Sequence, residues 1–172
     1  MASGLFVNPA TLLNVVPVIS STCQLWFGWD QYEFLQLFLK RDIQAQSNQL
    51  LPSYFTTFFN RGAPRVGGLL LTTIVSSAAN LRYAPGNLLH ERGSFIWYSA
   101  AIGFALGHLT YFPFIFPHIR AITSDAKEKN VTELKNWLYV HNWRTLTVDL
   151  AGWVCCIVAT VKTLSPVSAN GN

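Results

Sequence analysis

Residues 95–117 read FIWYSAAIGFALGHLTYFPFIFP. The run is long enough to cross the hydrocarbon of a bilayer as a helix, which takes about 20 apolar residues. Trp97 and Tyr98 stand near one end and Tyr111 and Phe112 near the other, where aromatic rings mark membrane–water interfaces. Gly103 and Gly107 lie within it, Pro113 and Pro117 close it, and one ionisable side chain, His108, sits near its middle. A stretch of this kind reads as a transmembrane helix and makes the chain an integral membrane protein.

Three further apolar stretches flank it. The expected fold is all-α, an integral membrane four-helix bundle forming a single transmembrane domain over residues 1–172, with spans at about 9–39, 66–81, 95–117 and 143–161. The first stretch exceeds one crossing and is interrupted by Gln24, Asp30, Gln31, Glu33 and Gln36, so it must tilt or leave the lipid in its second half. The second is short and rich in small residues (Gly67, Gly68, Ser76, Ser77, Ala78, Ala79), which let membrane helices approach closely. Between Asp125 and His141, Val131, Leu134, Trp137, Leu138 and Val140 recur at helical spacing among charges. That pattern predicts a cytoplasmic helical extension of the fourth segment over about 130–142.

Composition agrees. Hydrophobic residues make up 51% and charged ones 12%, about half the charge of a soluble domain. The net charge of +4 comes from scattered Lys and Arg that form no stripe, which argues against a nucleic-acid partner. Cys23, Cys155 and Cys156 all lie in apolar stretches and read as packing residues, not as a disulfide framework. Met1 to Pro9 lacks the basic start of a signal peptide, so the first apolar segment is read as a retained span. Loops one and three with their flanks carry Lys40, Arg41, Arg61, Arg65, Arg120, Lys127, Lys129, Lys135 and Arg144, against Arg82, Arg92 and Lys162 opposite. This excess places loops one and three in the cytoplasm, and the sequon Asn130-Val131-Thr132 with them, unglycosylated.

His108 leads the residues that could carry chemistry. An ionisable group inside a span is costly unless it meets a cavity or a partner. It is read either as a neutral imidazole bonded to a neighbouring helix or as a catalytic proton acceptor. Asp30 and Glu33 share a helix face. They could work as a carboxylate pair whose mutual repulsion leaves one able to abstract a proton near neutral pH, or they could simply sit at the interface. Trp137, His141 and Arg144 form one helical stripe with Asn142 beside it and Asp149 about two turns deeper. Arg144 can hold an oxyanion through its planar fork, or snorkel to the interface. The expected catalytic set is His108, Asp30, Glu33 and Arg144. The expected substrate contacts are Trp26, Trp29, Tyr111, His141, Asn142 and Asp149, the aromatic rings suiting a flat apolar ligand. His90, His108, His118 and His141 offer no local pair at ligand spacing, so no metal is expected. No phosphate loop or nucleophile elbow is present.

From Leu51 to Leu164 the chain resembles the anthrone oxygenase-like family of small four-span membrane proteins, also called domain of unknown function 1772. The features are Leu51-Pro52 before segment two, Phe112-Pro113 and Phe116-Pro117-His118-Ile119 closing segment three, and Trp137-x-x-x-His141-x-x-Arg144 leading into segment four. The family more often has asparagine where this chain has His141, with Asn142 next; Arg144 matches directly. The resemblance implies a tailoring monooxygenase of fungal secondary metabolism, held in the endoplasmic reticulum. Such an enzyme oxidises an anthrone-like polyketide with molecular oxygen as co-substrate and no cofactor. It also implies a mechanism in which His108 or Asp30 removes an acidic methylene proton and Arg144 holds the resulting oxyanion. The expected partners are a lipophilic substrate, polyketide or terpenoid, and membrane lipids. A membrane-bound cyclase or isomerase would need much the same residues, and a non-enzymatic lipid-binding, transport or scaffold protein would use them for packing. An enzyme is the favoured reading.

Overall fold

The computed structural model describes residues 8–165, and every element among them is helical. Asn8 caps α1 (Pro9–Leu35) by accepting the Ala10 N–H at 2.9 Å, with Pro9 in the first turn where its missing N–H costs nothing. Short 3-10 turns, Gln36–Leu39 and Arg41–Ile43, lead into α2 (Gln44–Tyr83). A single turn, α3 (Leu88–Glu91), precedes α4 (Phe95–Thr110) and α5 (Phe112–Thr123). After a 3-10 turn at Lys127–Lys129, α6 (Asn130–Arg144), a π-helical turn (Thr145–Asp149) and α7 (Leu150–Leu164) form one rod. Three stretches are long and apolar enough to cross a membrane: Pro9–Leu39, Phe95–Thr123 and Lys127–Leu164.

Two expected boundaries change. The short span at 66–81 is the C-terminal part of the 40-residue α2, which is not among those three stretches. The third span breaks at Tyr111 and resumes to Thr123, because Pro113 starts a new helix more readily than it continues an old one.

Prolines inside helices explain why residues 44–65 do not read as helix from sequence, and how the fold accommodates them. A helical proline frees the carbonyl four residues earlier. Pro17 frees Leu13 O, which accepts Asn80 Nδ2–H from α2 at 2.9 Å. Pro52 frees Asn48 O, which accepts Asn130 Nδ2–H from α6 at 2.9 Å. Each vacated acceptor becomes a docking point between helices.

The two ends of the bundle are packed by different chemistry. At the end formed by the α1–α2 and α5–α6 connections, large side chains from α1, α2, α5 and α6 make a continuous core: Leu35, Leu51, Phe55, Ile115, Ile119, Ile122, Leu134 and Trp137. Toward the other end most buried residues are small or hydroxylated, including Ser20, Ser21, Thr73, Ser77, Ala101, Cys156, Ala159 and Thr160, beside a smaller cluster of Leu89 and Tyr98. There the helices are tied by bonds such as Ser20 Oγ to Thr73 Oγ1 (2.7 Å) and Thr160 Oγ1–H to Asn14 O (2.7 Å). Large apolar cores form where water drives burial, and small polar contacts prevail between helices in lipid.

At the first end Asn130 is fully buried. Its Oδ1 accepts Ala126 N–H and its Nδ2 donates to Asn48 O and Asp125 Oδ1, so its amide is already used within the fold. Asp125, at φ 56°, has its carboxylate held below the ordinary range by that Asn130 donor and by Lys127 N–H.

Candidate active site

The site begins with α1. Its buried stripe runs Pro17, Ser20, Ser21, Gln24, Gly28, Gln31, Leu35, close to a seven-residue repeat that keeps one face toward its neighbours. Gly28 lies against the end of α6: a Cβ there would make ordinary contact, 3.4 Å, with Thr145 Oγ1 of the π turn. Beside it His141 Nε2 reaches Gly28 O at 2.9 Å.

Gly28 O can only accept, so His141 carries its proton on Nε2 and its Nδ1 accepts from Arg144 Nη2–H at 3.0 Å. Trp137 stacks on the imidazole at 4.7 Å between centroids, 17° from parallel. The ring is therefore fixed on every side.

Arg144 Nε–H donates to Asp149 Oδ2 at 3.3 Å, and the other carboxylate oxygen meets His108 Nδ1 at 2.7 Å. Both ends of the Arg144–Asp149 pair are about 5% exposed. The π turn makes this pair possible. Five residues along a regular α-helix turn a side chain about 140° away, whereas here Leu150 N–H bonds to Thr145 O, five back, and brings residues five apart above one another. With Asp149 ionised against Arg144, the carboxylate accepts and His108 Nδ1 donates. The lone pair is then on Nε2, which has no partner among the described residues.

His108 and Arg144 lie on the wall of a cavity of about 220 Å3 between α1, α2, α4, α5 and α6. Phe58, Phe59, Val66, Leu70, Phe112 and Ile115 make it apolar, with Gln31 and Trp137 as further polar groups. Its mouth lies among the exposed residues Ala63, Gly67, Leu109 and Phe112, on the outer surface of the bundle. A neutral histidine backed by a carboxylate can take a proton there, and the charge that appears on the ring meets Asp149 at 2.7 Å.

Of the residues expected from sequence, His108, Arg144, His141 and Asp149 meet in one network. Asp149 and His141, expected as substrate contacts, have protein partners: Asp149 lies between His108 and Arg144, and His141 between Gly28 O and Arg144. Asp30 and Glu33, read as catalytic carboxylates, do not line the cavity: they lie off the buried stripe of α1, half-buried, and Glu33 accepts Gln36 Nε2–H at 2.8 Å. Trp26 and Trp29 border a separate outer groove with Trp153, at 67% and 48% exposed. Tyr111 lines another shallow groove, its hydroxyl 3.4 Å from Thr147 Oγ1, and Asn142 is half-buried outside the cavity. Gln31 also lines the cavity; its spacing of seven from Gln24 places both on one polar face of α1, which implies a neighbour or cavity there, but sequence gives it no role at the site. Among the described residues no three His, Cys, Asp or Glu gather as a metal-ligand set.

Comparison with known proteins finds fungal relatives named as epoxidases. The chain is 29% identical over 170 residues to epoxidase pydX of Acremonium sp, covering 94% of this chain and 99% of that protein. It is 29% identical over 158 residues to the probable epoxidase scpX of Mollisia scopiformis, covering 89% and 96%. It is 29% identical over 160 residues to epoxidase gkaX of Penicillium citrinum, covering 89% and 95%. These relatives are fungal, the setting that the sequence resemblance implies. No family model and no solved structure matches the chain.

Proposed function

We propose that this chain is a membrane-embedded tailoring oxygenase that acts on a lipophilic substrate drawn from the bilayer, with His108 as general base. One observation carries the reading: His108 is locked by Asp149 through Nδ1 while its Nε2 is left for the cavity. The epoxidase names of the relatives support oxygenation as the class of reaction.

For an anthrone-like substrate, His108 Nε2 removes a methylene proton and the electron pair passes into the carbonyl as an enolate. Arg144, with Nη1 unpartnered among the described residues, faces that oxygen. Before the reaction Arg144 and Asp149 balance each other; afterwards imidazolium balances enolate, so no net charge is left unpaired in the dry site. The enolate gives electrons to dioxygen, a C–O bond forms, and loss of water leaves the second carbonyl: CH2 plus O2 becomes C=O plus H2O. The names of the relatives favour a second form, epoxidation. With a hydroperoxide as oxidant and an alkene conjugated to a carbonyl, His108 would take the hydroperoxide proton and the peroxide oxygen would add to the alkene. The enolate would then close the epoxide, expelling an alkoxide that recovers the proton from His108.

The setting proposed is the endoplasmic reticulum membrane, with four helical rods in or through the bilayer, loops one and three in the cytoplasm, and no cofactor beyond the oxidant. The test incubates detergent-purified protein, with and without chelator, with anthrones under oxygen and with conjugated polyenones plus a hydroperoxide. Oxygenated product that survives chelation and is lost in a folded His108→Gln variant is the expected result. Product formed without any oxidant consumed would replace this reading by a cyclase or isomerase. No product from any substrate, with the protein folded, would favour a non-enzymatic lipid-binding role.

A further inference from the structure

We infer that Gln31 is the specificity-determining residue of the His108 cavity, and that it selects substrates carrying a carbonyl oxygen on an apolar body. The inference rests on the proposed function for the identity of the cavity as the substrate site, but not for its test.

Gln31 is 7% exposed and lines the cavity together with His108 and Arg144. Its side chain makes no hydrogen bond among the described residues, and its amide is not one of the fully enclosed unpaired groups, so it is open to a partner in the cavity. Gly62 of α2 lies alongside it: a Cβ there would stand 3.6 Å from Gln31 Nε2, an ordinary contact, so α2 passes close to the amide without bonding it. Trp137, another lining residue, also has a buried Nε1–H with no partner. The remaining wall is aromatic and aliphatic. A cavity that is apolar except for unspent donors beside a base suits a hydrocarbon skeleton with one acceptor oxygen, which a Gln31 N–H would fix so that the reacting atom faces His108 Nε2. An analogue lacking that oxygen would leave the amide buried and unpaired, which is how a polar pocket rejects an isostere.

Equilibrium binding to the full chain in lipid nanodiscs tests this, with anthrone as probe and 9,10-dihydroanthracene as its counterpart without the carbonyl, each corrected for uptake by empty nanodiscs. The wild type is expected to bind anthrone about ten-fold more tightly than dihydroanthracene, the upper range for one hydrogen bond. Gln31→Leu should bring the ratio close to one by weakening anthrone while leaving dihydroanthracene equal or tighter. Gln31→Met, closer in shape, serves the same purpose if the leucine variant does not fold. A ratio unchanged by either folded variant, or no preference in the wild type, overturns the assignment. Because binding is read without turnover, a preserved ratio change in a protein that shows no oxygenation would sink the proposed function and leave Gln31 in place.

Discussion

At the scale of single residues, the proposed chemistry depends on Asp149 doing two things at once. Its two oxygens are divided between the His108 ring and the Arg144 guanidinium, so it sets the tautomer of the base and balances a buried cation. Asp149→Asn should lower turnover on the order of 10^3–10^4-fold at saturating substrate, the effect of losing the carboxylate behind a catalytic histidine elsewhere. It should also leave Arg144 buried and unpaired, at a cost of about 3–5 kcal/mol in stability, visible as a lower Tm in detergent. The two effects separate in the double variant Arg144→Met with Asp149→Leu, which removes both charges. Its Tm should return toward the wild type while activity stays absent; a double variant as unstable as Asp149→Asn would refute the charge-balance account. Each residue of this network was visible in the sequence as a polar group in an apolar run. That His108 and Asp149 touch was not, since no spacing relates positions on separate rods.

At the scale of elements, local irregularities build the site, and they are what sequence periodicity misses. Counting in α-helical turns puts Arg144 and Asp149 on different faces; the π turn puts them together. Prolines read as punctuation and so hid the first half of α2, although Pro52 and Pro17 are absorbed by Asn130 and Asn80. This compensation is testable. Asn80→Leu should destabilise the bundle by about 1–2 kcal/mol, because Leu13 O loses its donor in a buried setting. Adding Pro17→Ala supplies a backbone N–H to the same carbonyl and should recover most of that loss, while Pro17→Ala alone changes little. Unfolding by SDS titration from mixed micelles gives the four stabilities of the cycle. Additive single effects would mean that Asn80 does not act through the carbonyl that Pro17 frees.

At the scale of the whole molecule, the change in packing along the bundle supports one placement of the proposed membrane protein in a bilayer. A 40-residue helix is about 60 Å long, roughly twice the hydrocarbon thickness, so in the proposed setting half of α2 would stand outside the lipid. The half with a large-residue core, at the end carrying Lys40, Arg41, Lys127 and Lys129, suits water; the half tied by serines, threonines and alanines suits lipid. His108, Arg144 and Asp149 fall at the junction, where an apolar substrate can keep its body in the membrane and offer its polar end to the base. Loop charges give only an expectation of sidedness, and the projecting half is not legible in sequence, because its core residues come from four rods and form no apolar run. With the bundle so placed, Lys129→Cys, made in a Cys23→Ala background, should react with a membrane-impermeant maleimide on intact microsomes. Asn87→Cys, exposed at the opposite end, should react only after permeabilisation. Buried Cys155 and Cys156 should stay silent in both. The reverse labelling pattern would invert the chain in the membrane and move the watery end of the site to the lumen.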